Sequence, residues 1–242
     1  MKVIFTCGGT AGHVNPALAL AGYMRKKDPT VEVLFVGTPE GIERDLVAQA
    51  GYDYRGIAVG SLERSASWEA IRHNCKSAWE MLALRRKTGA IFKEFPADLV
   101  VGTGGYASYP MVKYAALRGI PTAVHEANMI PGLTTKMLEK HASRIMVGFE
   151  ECRALYKHPE RIAVTGTPVR GDFFDLTHEE AKAALGMGKD EPLVVSFWGS
   201  LGASTMNRQM LDFFKKEKED GYPFYHIHAV GGRGWETMQQ EM

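Results

Sequence analysis

Three times in this chain a short apolar run ends in a glycine-rich turn that opens a helix-forming stretch, and that repetition constrains the fold more than any other feature. Val3-Ile4-Phe5 runs into Gly8, Gly9 and Gly12, Leu99-Val100-Val101 into Gly102, Gly104 and Gly105, and Leu193-Val194-Val195 into Gly199 and Gly202. Further strands are expected at Val31–Val36, Tyr54–Val59, Pro121–Val124, Ser143–Val147, Arg161–Val164 and Tyr225–Val230, with helices between them, one over Pro39–Ala50. Strands that alternate with helices imply parallel sheets joined by crossover helices, an α/β fold.

In the first turn, Asn15 is a good N-cap residue and Pro16 suits the first helical position, where its missing N–H has no partner to lose. Glycines without Cβ let backbone N–H groups approach a ligand, and the helix dipole favours negative charge there. His13 is expected in the loop itself, where an imidazole can bond a substrate hydroxyl or take its proton near neutral pH. The alternative is a tight strand-to-helix turn with His13 on the surface. A dinucleotide site fits less well. The spacing is Gly-Gly-x-x-Gly, and the second strand ends in Gly37-Thr38 where an acid would meet the ribose. That disfavours an NAD-type oxidoreductase.

The 242 residues suffice for one large or two modest domains, and a net charge of +1 gives no general case for nucleic acid. Cys7, Cys75 and Cys152 have no paired spacing for zinc or redox work, which suits free thiols in a reducing compartment. Neither a cleavable leader nor an apolar run long enough to cross a membrane is present, so the chain is read as neither secreted nor membrane-spanning.

Polar residues crowd the ends of several predicted strands. Tyr106 follows the second glycine turn and is either a sugar platform or a core aromatic. His125-Glu126-Ala127-Asn128 follows the strand ending at Val124. Such groups are costly to bury unpaired, so they are mutually bonded or face a cleft; the cleft is favoured for Glu126 and Asn128, and His125 reads as structural. Thr165–Arg170 breaks the pattern and is read as a hinge, dividing the chain into 1–167 and 168–242, with Arg170 a phosphate clamp or a solvated cation. The turn Gly199–Ser204 is a seat for a diphosphate at a helix start. The stretch Ser65–Phe95 is long and helical, with Trp68, Ile71, Trp79 and Leu82 interleaved with Arg72, Lys76, Arg85 and Arg86. This is either a patch for an anionic membrane surface or two ordinary helices with one solvated face. The second α/β segment holds too few elements to bury a full core.

Together Gly8–His13 with Asn15-Pro16-Ala17, Gly104-Gly105-Tyr106, His125–Asn128, Gly166–Arg170 and Gly199–Ala203, in that order and spacing, resemble the peptidoglycan N-acetylglucosaminyltransferases of glycosyltransferase family 28. The resemblance implies a GT-B fold: two Rossmann-like parallel-sheet domains with the active site in the cleft, the second domain truncated here. It implies transfer of N-acetylglucosamine from UDP-N-acetylglucosamine to the 4-hydroxyl of undecaprenyl-diphospho-N-acetylmuramoyl-pentapeptide, turning lipid I into lipid II with inversion. The acceptor site would include Thr10, Ala11, Gly12, Gly104, Gly105, Tyr106 and Asn128. His13 is the leading candidate base, with Glu126 and Asn128 as support or alternative. Arg170 and the Ser200-Leu201-Gly202 helix start would stabilise the leaving UDP.

With no Asp-x-Asp triplet in the chain, no metal or other cofactor is expected. The 68–87 stretch matches the family's membrane patch, which implies a peripheral protein on the cytoplasmic face of the bacterial membrane. The chain departs from the pattern at Ala127, Thr167 and Trp198, where Gln, Asn and Gly are common, and in lacking the later donor-domain segment. An inactive fragment is therefore expected. The alternative is a non-catalytic acceptor or membrane-docking module of a split two-subunit glycosyltransferase.

Overall fold

A computed structural model describes residues 1–59, 84–199, 202–232 and 234–241. The expectations for Trp68, Ile71, Arg72, Lys76, Trp79 and Leu82, for Cys75, and for Ser200 and Leu201 lie outside the described residues. The chain forms two compact units, Met1–Phe173 and Phe174–Met242, so the boundary falls after Phe173 where the sequence placed it after Thr167.

The first unit is built on seven parallel strands: β1 (Lys2–Thr6), β2 (Glu32–Gly37), β3 (Asp53–Gly56), β4 (Leu99–Gly102), β5 (Thr122–Glu126), β6 (Arg144–Val147) and β7 (Ile162–Val164). Their spatial order is β3-β2-β1-β4-β5-β6-β7. The direction of winding therefore reverses between β1 and β4, where Phe5 pairs with Val101 and Thr6 with Gly102. In open α/β sheets ligands bind beyond the carboxyl ends of the strands at such a reversal.

Alternate strand residues feed two cores, as expected for a parallel sheet covered on both faces. On one face Val3, Phe5, Val33 and Phe35 pack with Val14, Ala17, Leu18 and Ala21 of α1 (Ala11–Lys27) and Val47 of α2 (Ile42–Gln49). On the other, Ile4, Val36, Val100 and Val124 pack with Phe92 of α3 (residues 84–94), with Met111, Val112 and Ala115 of α4 (Ser108–Ala116), and with Leu138 of α5 (Leu133–Leu138).

Helix α1 begins earlier than its sequence suggests. Asn15 is not the N-cap and Pro16 is not the first helical residue. Thr10 caps in an extended conformation, its carbonyl accepts from the Val14 N–H at 3.3 Å, and Pro16 lies inside the helix. The cause is Gly9, whose φ of +88° turns the chain straight after β1, so that helical geometry is reached at Ala11. Proline at this place removes the N–H that the Gly12 carbonyl would accept, and Gly12 is exposed, so water can replace it.

The second unit contains α6 (His178–Ala184), β8 (Leu193–Phe197), α7 (Ser204–Glu219), β9 (Tyr225–Ala229) and α8 (Trp235–Glu241). Strands β8 and β9 form a two-stranded parallel sheet with Val195 opposite Ile227. Its described core is small, centred on Leu211, Val230 and Met238. Val195, Phe197, Tyr225 and Ile227 are all exposed, so this small sheet shows apolar side chains to solvent.

Candidate functional site

Two glycine turns meet where the sheet reverses. The turn after β1 carries Gly8 and Gly9, and His13 sits in the first turn of α1 rather than in the loop. The turn after β4 carries Gly104 and Gly105, with φ of +115° and +82°. A Cβ on Gly104 would overlap the His13 ring, and one on Gly105 would overlap the Gly8 carbonyl. Absence of side chains is what lets the two turns close on each other. Side chains then tie them: Thr103 Oγ1 donates to the His13 carbonyl at 2.6 Å, and Ser108 Oγ lies 2.8 Å from the Thr6 carbonyl and 2.7 Å from the Gly104 carbonyl, with one hydrogen shared between them.

The orientation of the His13 ring follows from one contact. Its Nδ1 lies 2.8 Å from the Gly8 carbonyl oxygen. A carbonyl only accepts, so Nδ1 holds a hydrogen, and in the neutral ring the lone pair is on Nε2. Half-buried His13, exposed Thr10 and Gly12, half-buried Ala11, and exposed Tyr106 surround the same corner of the sheet. With 71% of its surface exposed, Tyr106 is not a core aromatic.

The segment after β5 divides its expected roles. Glu126 does not face a cleft. It is 5% exposed, and its two oxygens accept from Asn128 N (3.0 Å), Asn128 Nδ2 (2.8 Å), Gly132 N (2.8 Å) and Thr135 Oγ1 (2.8 Å). Those donors occupy the carboxylate and make it the fastener of the 127–132 loop, which corrects the expectation of Glu126 as a base. Asn128 is exposed, and because its Nδ2 points at Glu126 its Oδ1 is left outward as an acceptor. His125 is structural, as the sequence suggests. It is 1% exposed, its Nε2 donates to the Gly166 carbonyl at 3.1 Å, and burial holds its pKa down, against the Gly166 bond and the Glu126 charge.

Arg170 is exposed and pairs with Asp172 at 3.4 Å, not with either glycine turn among the described residues. Of the second unit's expected residues, Gly202 is described; its φ is +73° and a Cβ there would overlap the Val230 carbonyl. Arg85 and Arg86 are exposed on α3.

One residue the sequence reading missed holds the first turn in place. Glu43 is fully buried and accepts from Thr38 Oγ1 (2.6 Å), Thr38 N (2.7 Å) and Gly9 N (3.3 Å). A signal was available: Glu43 lies four residues before Val47, so it shares the core face of α2. Burial pushes its carboxyl up, but the Thr38 and Gly9 bonds outweigh burial and hold the pKa below the usual range. Beside it, burial pushes the Cys7 thiol up to about 12, with the Glu43 charge adding.

Because the folded Glu43 carboxyl lies below its unfolded value, its stabilisation is complete above the ordinary carboxylate range and is lost as pH falls through the folded value. Amide exchange at Gly9 is therefore expected to lose protection between about pH 5 and pH 3. Glu43→Gln should start less protected and lack that step. An identical acid profile in the variant would remove Glu43 from this role.

Residues 3–147 match the model of the glycosyltransferase family 28 N-terminal domain. Over its whole length the chain is 38% identical to a UDP-N-acetylglucosamine–N-acetylmuramyl-(pentapeptide) pyrophosphoryl-undecaprenol N-acetylglucosamine transferase of Acetivibrio thermocellus, and covers 64% of that protein. A protein of the same name from a Thermoanaerobacter species is 38% identical over 220 residues, 91% of this chain and 59% of that protein. Among solved structures, Acinetobacter baumannii MurG superposes with a TM-score of 0.65 at 22% identity, over 99% of this chain and 63% of that one, which extends the likeness in fold to the second unit. The chain thus spans about three-fifths of the length of the curated relatives it matches.

Proposed function

The chain belongs to glycosyltransferase family 28, and from that membership we propose that it is the acceptor-binding part, with a portion of the donor-binding part, of an inverting N-acetylglucosaminyltransferase. The donor is UDP-N-acetylglucosamine and the acceptor is the 4-hydroxyl of undecaprenyl-diphospho-N-acetylmuramoyl-pentapeptide. The observation that carries this reading is the His13 ring, whose Nδ1–H is taken by the Gly8 carbonyl, so that in the neutral ring Nε2 is the nitrogen that accepts a proton.

In the proposed reaction Nε2 takes the proton of the acceptor hydroxyl. The oxygen forms its bond to the anomeric carbon from the face opposite UDP, the bond from that carbon to the diphosphate oxygen breaks, and its electrons leave with UDP. Gly104 and Gly105 bring the second turn against the ring, and Asn128 Oδ1 offers an acceptor for a second sugar hydroxyl. The helix start at Thr10–Gly12 suits the acceptor diphosphate. In the second unit the sequence Gly199–Ala203 ahead of α7 suits the donor diphosphate. Arg170 contributes positive charge toward the leaving group on this reading, once released from Asp172. Docking on an anionic membrane surface at the cytoplasmic face draws support from the exposed Arg85 and Arg86 on α3.

Calorimetric titration of the 242-residue chain, beside one extended to the length of its relatives, tests the proposal. A soluble lipid I analogue is expected to bind both, UDP-N-acetylglucosamine only the longer chain, and turnover is expected only from the longer chain. Both should sediment with anionic vesicles and not with zwitterionic ones. Failure of the analogue to bind either chain would overturn the acceptor reading; turnover by the shorter chain would overturn the partition of the donor site.

A further inference from the structure

The second unit buries a cluster of titratable groups that the proposed reaction does not use. Glu217 of α7 lies 2.7 Å from His226 Nδ1, and the two side chains are 8% and 6% exposed. His226 Nε2 lies 2.8 Å from Ser196 Oγ of β8, and that hydroxyl lies 2.7 Å from Nδ1 of His228, two residues further along β9. His228 Nε2 lies 3.3 Å from Asn207 Oδ1, and Asn207 Nδ2 donates to the Val230 carbonyl at 2.8 Å. Phe213, Phe214 and Phe224 pack their rings around His226.

Donor and acceptor rules fix the hydrogens along this chain from both ends. The Val230 carbonyl only accepts, so Asn207 turns its amide nitrogen to it and its oxygen to His228, which must then be protonated at Nε2. An ionised Glu217 only accepts, which puts a hydrogen on His226 Nδ1, whereas a protonated Glu217 donates to it. Two links remain, on either side of Ser196, and its hydroxyl has one hydrogen. The other link needs a ring N–H, so the chain of bonds holds one proton beyond an ionised Glu217 and two neutral rings. Of the two rings, His226 is the one beside a carboxylate. On His228, burial pushes the pKa down, the Ser196 bond opposes that, and the His226 charge adds to it. The charged and titratable partners facing His226 among the described residues are Glu217 from α7 and His228 from its own strand, with Ser196 the polar neighbour on β8.

The chain ends where two glycine turns touch. The Val230 carbonyl that Asn207 holds is the atom a Cβ on Gly202 would strike, and a Cβ on Gly234 would lie 2.6 Å from Asn207 Nδ2. Gly202, before α7, and Gly234, before α8, are thus packed against one buried amide. We propose that Glu217, His226, Ser196, His228 and Asn207 are positioning residues for Gly202, in the turn that leads into α7, and that they act only while together they hold one proton beyond an ionised Glu217 and two neutral histidines. The link to catalysis rests on the reading of that turn as the donor diphosphate seat; the proton arrangement does not.

Long-range proton–nitrogen spectra of the histidine rings in the 242-residue protein test the arrangement directly. At neutral pH His228 is expected as the Nε2–H tautomer and His226 with a hydrogen on Nε2, as an imidazolium or beside a protonated Glu217; a neutral His226 with its hydrogen on Nδ1, or a charged His228, would overturn it. Ser196→Ala removes the bridge and should raise amide exchange at Gly202 and Gly231 about tenfold or more while leaving the middle of α7 unchanged. Ser196→Thr, which keeps the hydroxyl, should restore protection. Unchanged exchange at both glycines in Ser196→Ala would overturn the positioning role. If the extended chain fails to bind UDP-N-acetylglucosamine although the ring states are as expected, the donor reading falls and the proton chain stands.

Discussion

Replacing His13 by Ala is expected to lower transfer by the extended chain about 10²–10⁴-fold, the range contributed by a positioned general base. Nothing structural should fall with it. His13 occupies the first turn of α1, where Ala is a good helix former, and the ring's one close hydrogen bond goes to a loop carbonyl. The decisive comparison is therefore turnover against the melting temperature of the first unit. A variant that melts normally and still turns over within a few-fold of the parent would move the base elsewhere, and Asn128, whose amide has no basic lone pair at neutral pH, could not replace it.

The second large effect is on stability. Glu126→Ala deletes an acceptor for four donors. Asn128 and Gly132 are exposed and can turn to water, but Thr135 is buried. A buried donor left without a partner costs about 1–3 kcal/mol. That corresponds to a drop of about 2–12 °C in melting temperature for a unit of this size. Glu126→Gln keeps one accepting oxygen and should fall between. Thermal denaturation followed by near-ultraviolet circular dichroism would check the order Glu126, Gln, Ala; equal melting for all three would remove the carboxylate from its fastening role.

Most of the first unit was legible in the sequence because parallel strands buried on both faces read as continuous apolar runs. Val33–Val36 and Leu99–Val101 needed no partner to be recognised. What was not legible depends on which way a polar side chain turns. Glu126 and Asn128 are two residues apart at the end of one strand, yet one is sealed by four donors and the other faces solvent. Nothing in their spacing separates those outcomes. Local rules misplaced the start of α1 because Asn15-Pro16 is a strong capping signal, while the positive φ of Gly9 is a property of the folded turn. Glu43 carried a signal in its spacing from Val47, but its partners, the Thr38 hydroxyl and amide and the Gly9 amide, lie at the ends of two strands that only the fold brings together. The histidines of β9 show the same limit: two at period 2 mark one face of a strand, but Ser196 bridging them comes from β8, some thirty residues away.

Pro16 has a consequence for recognition at the first turn. A helix start ordinarily only donates hydrogen bonds, because its first N–H groups are free and its first carbonyls are consumed by the turn that follows. Here the carbonyl of Gly12 is denied its N–H partner four residues on. The first turn of α1 is thus one hydrogen bond short on its carbonyl side, while its first amides are those of any helix start.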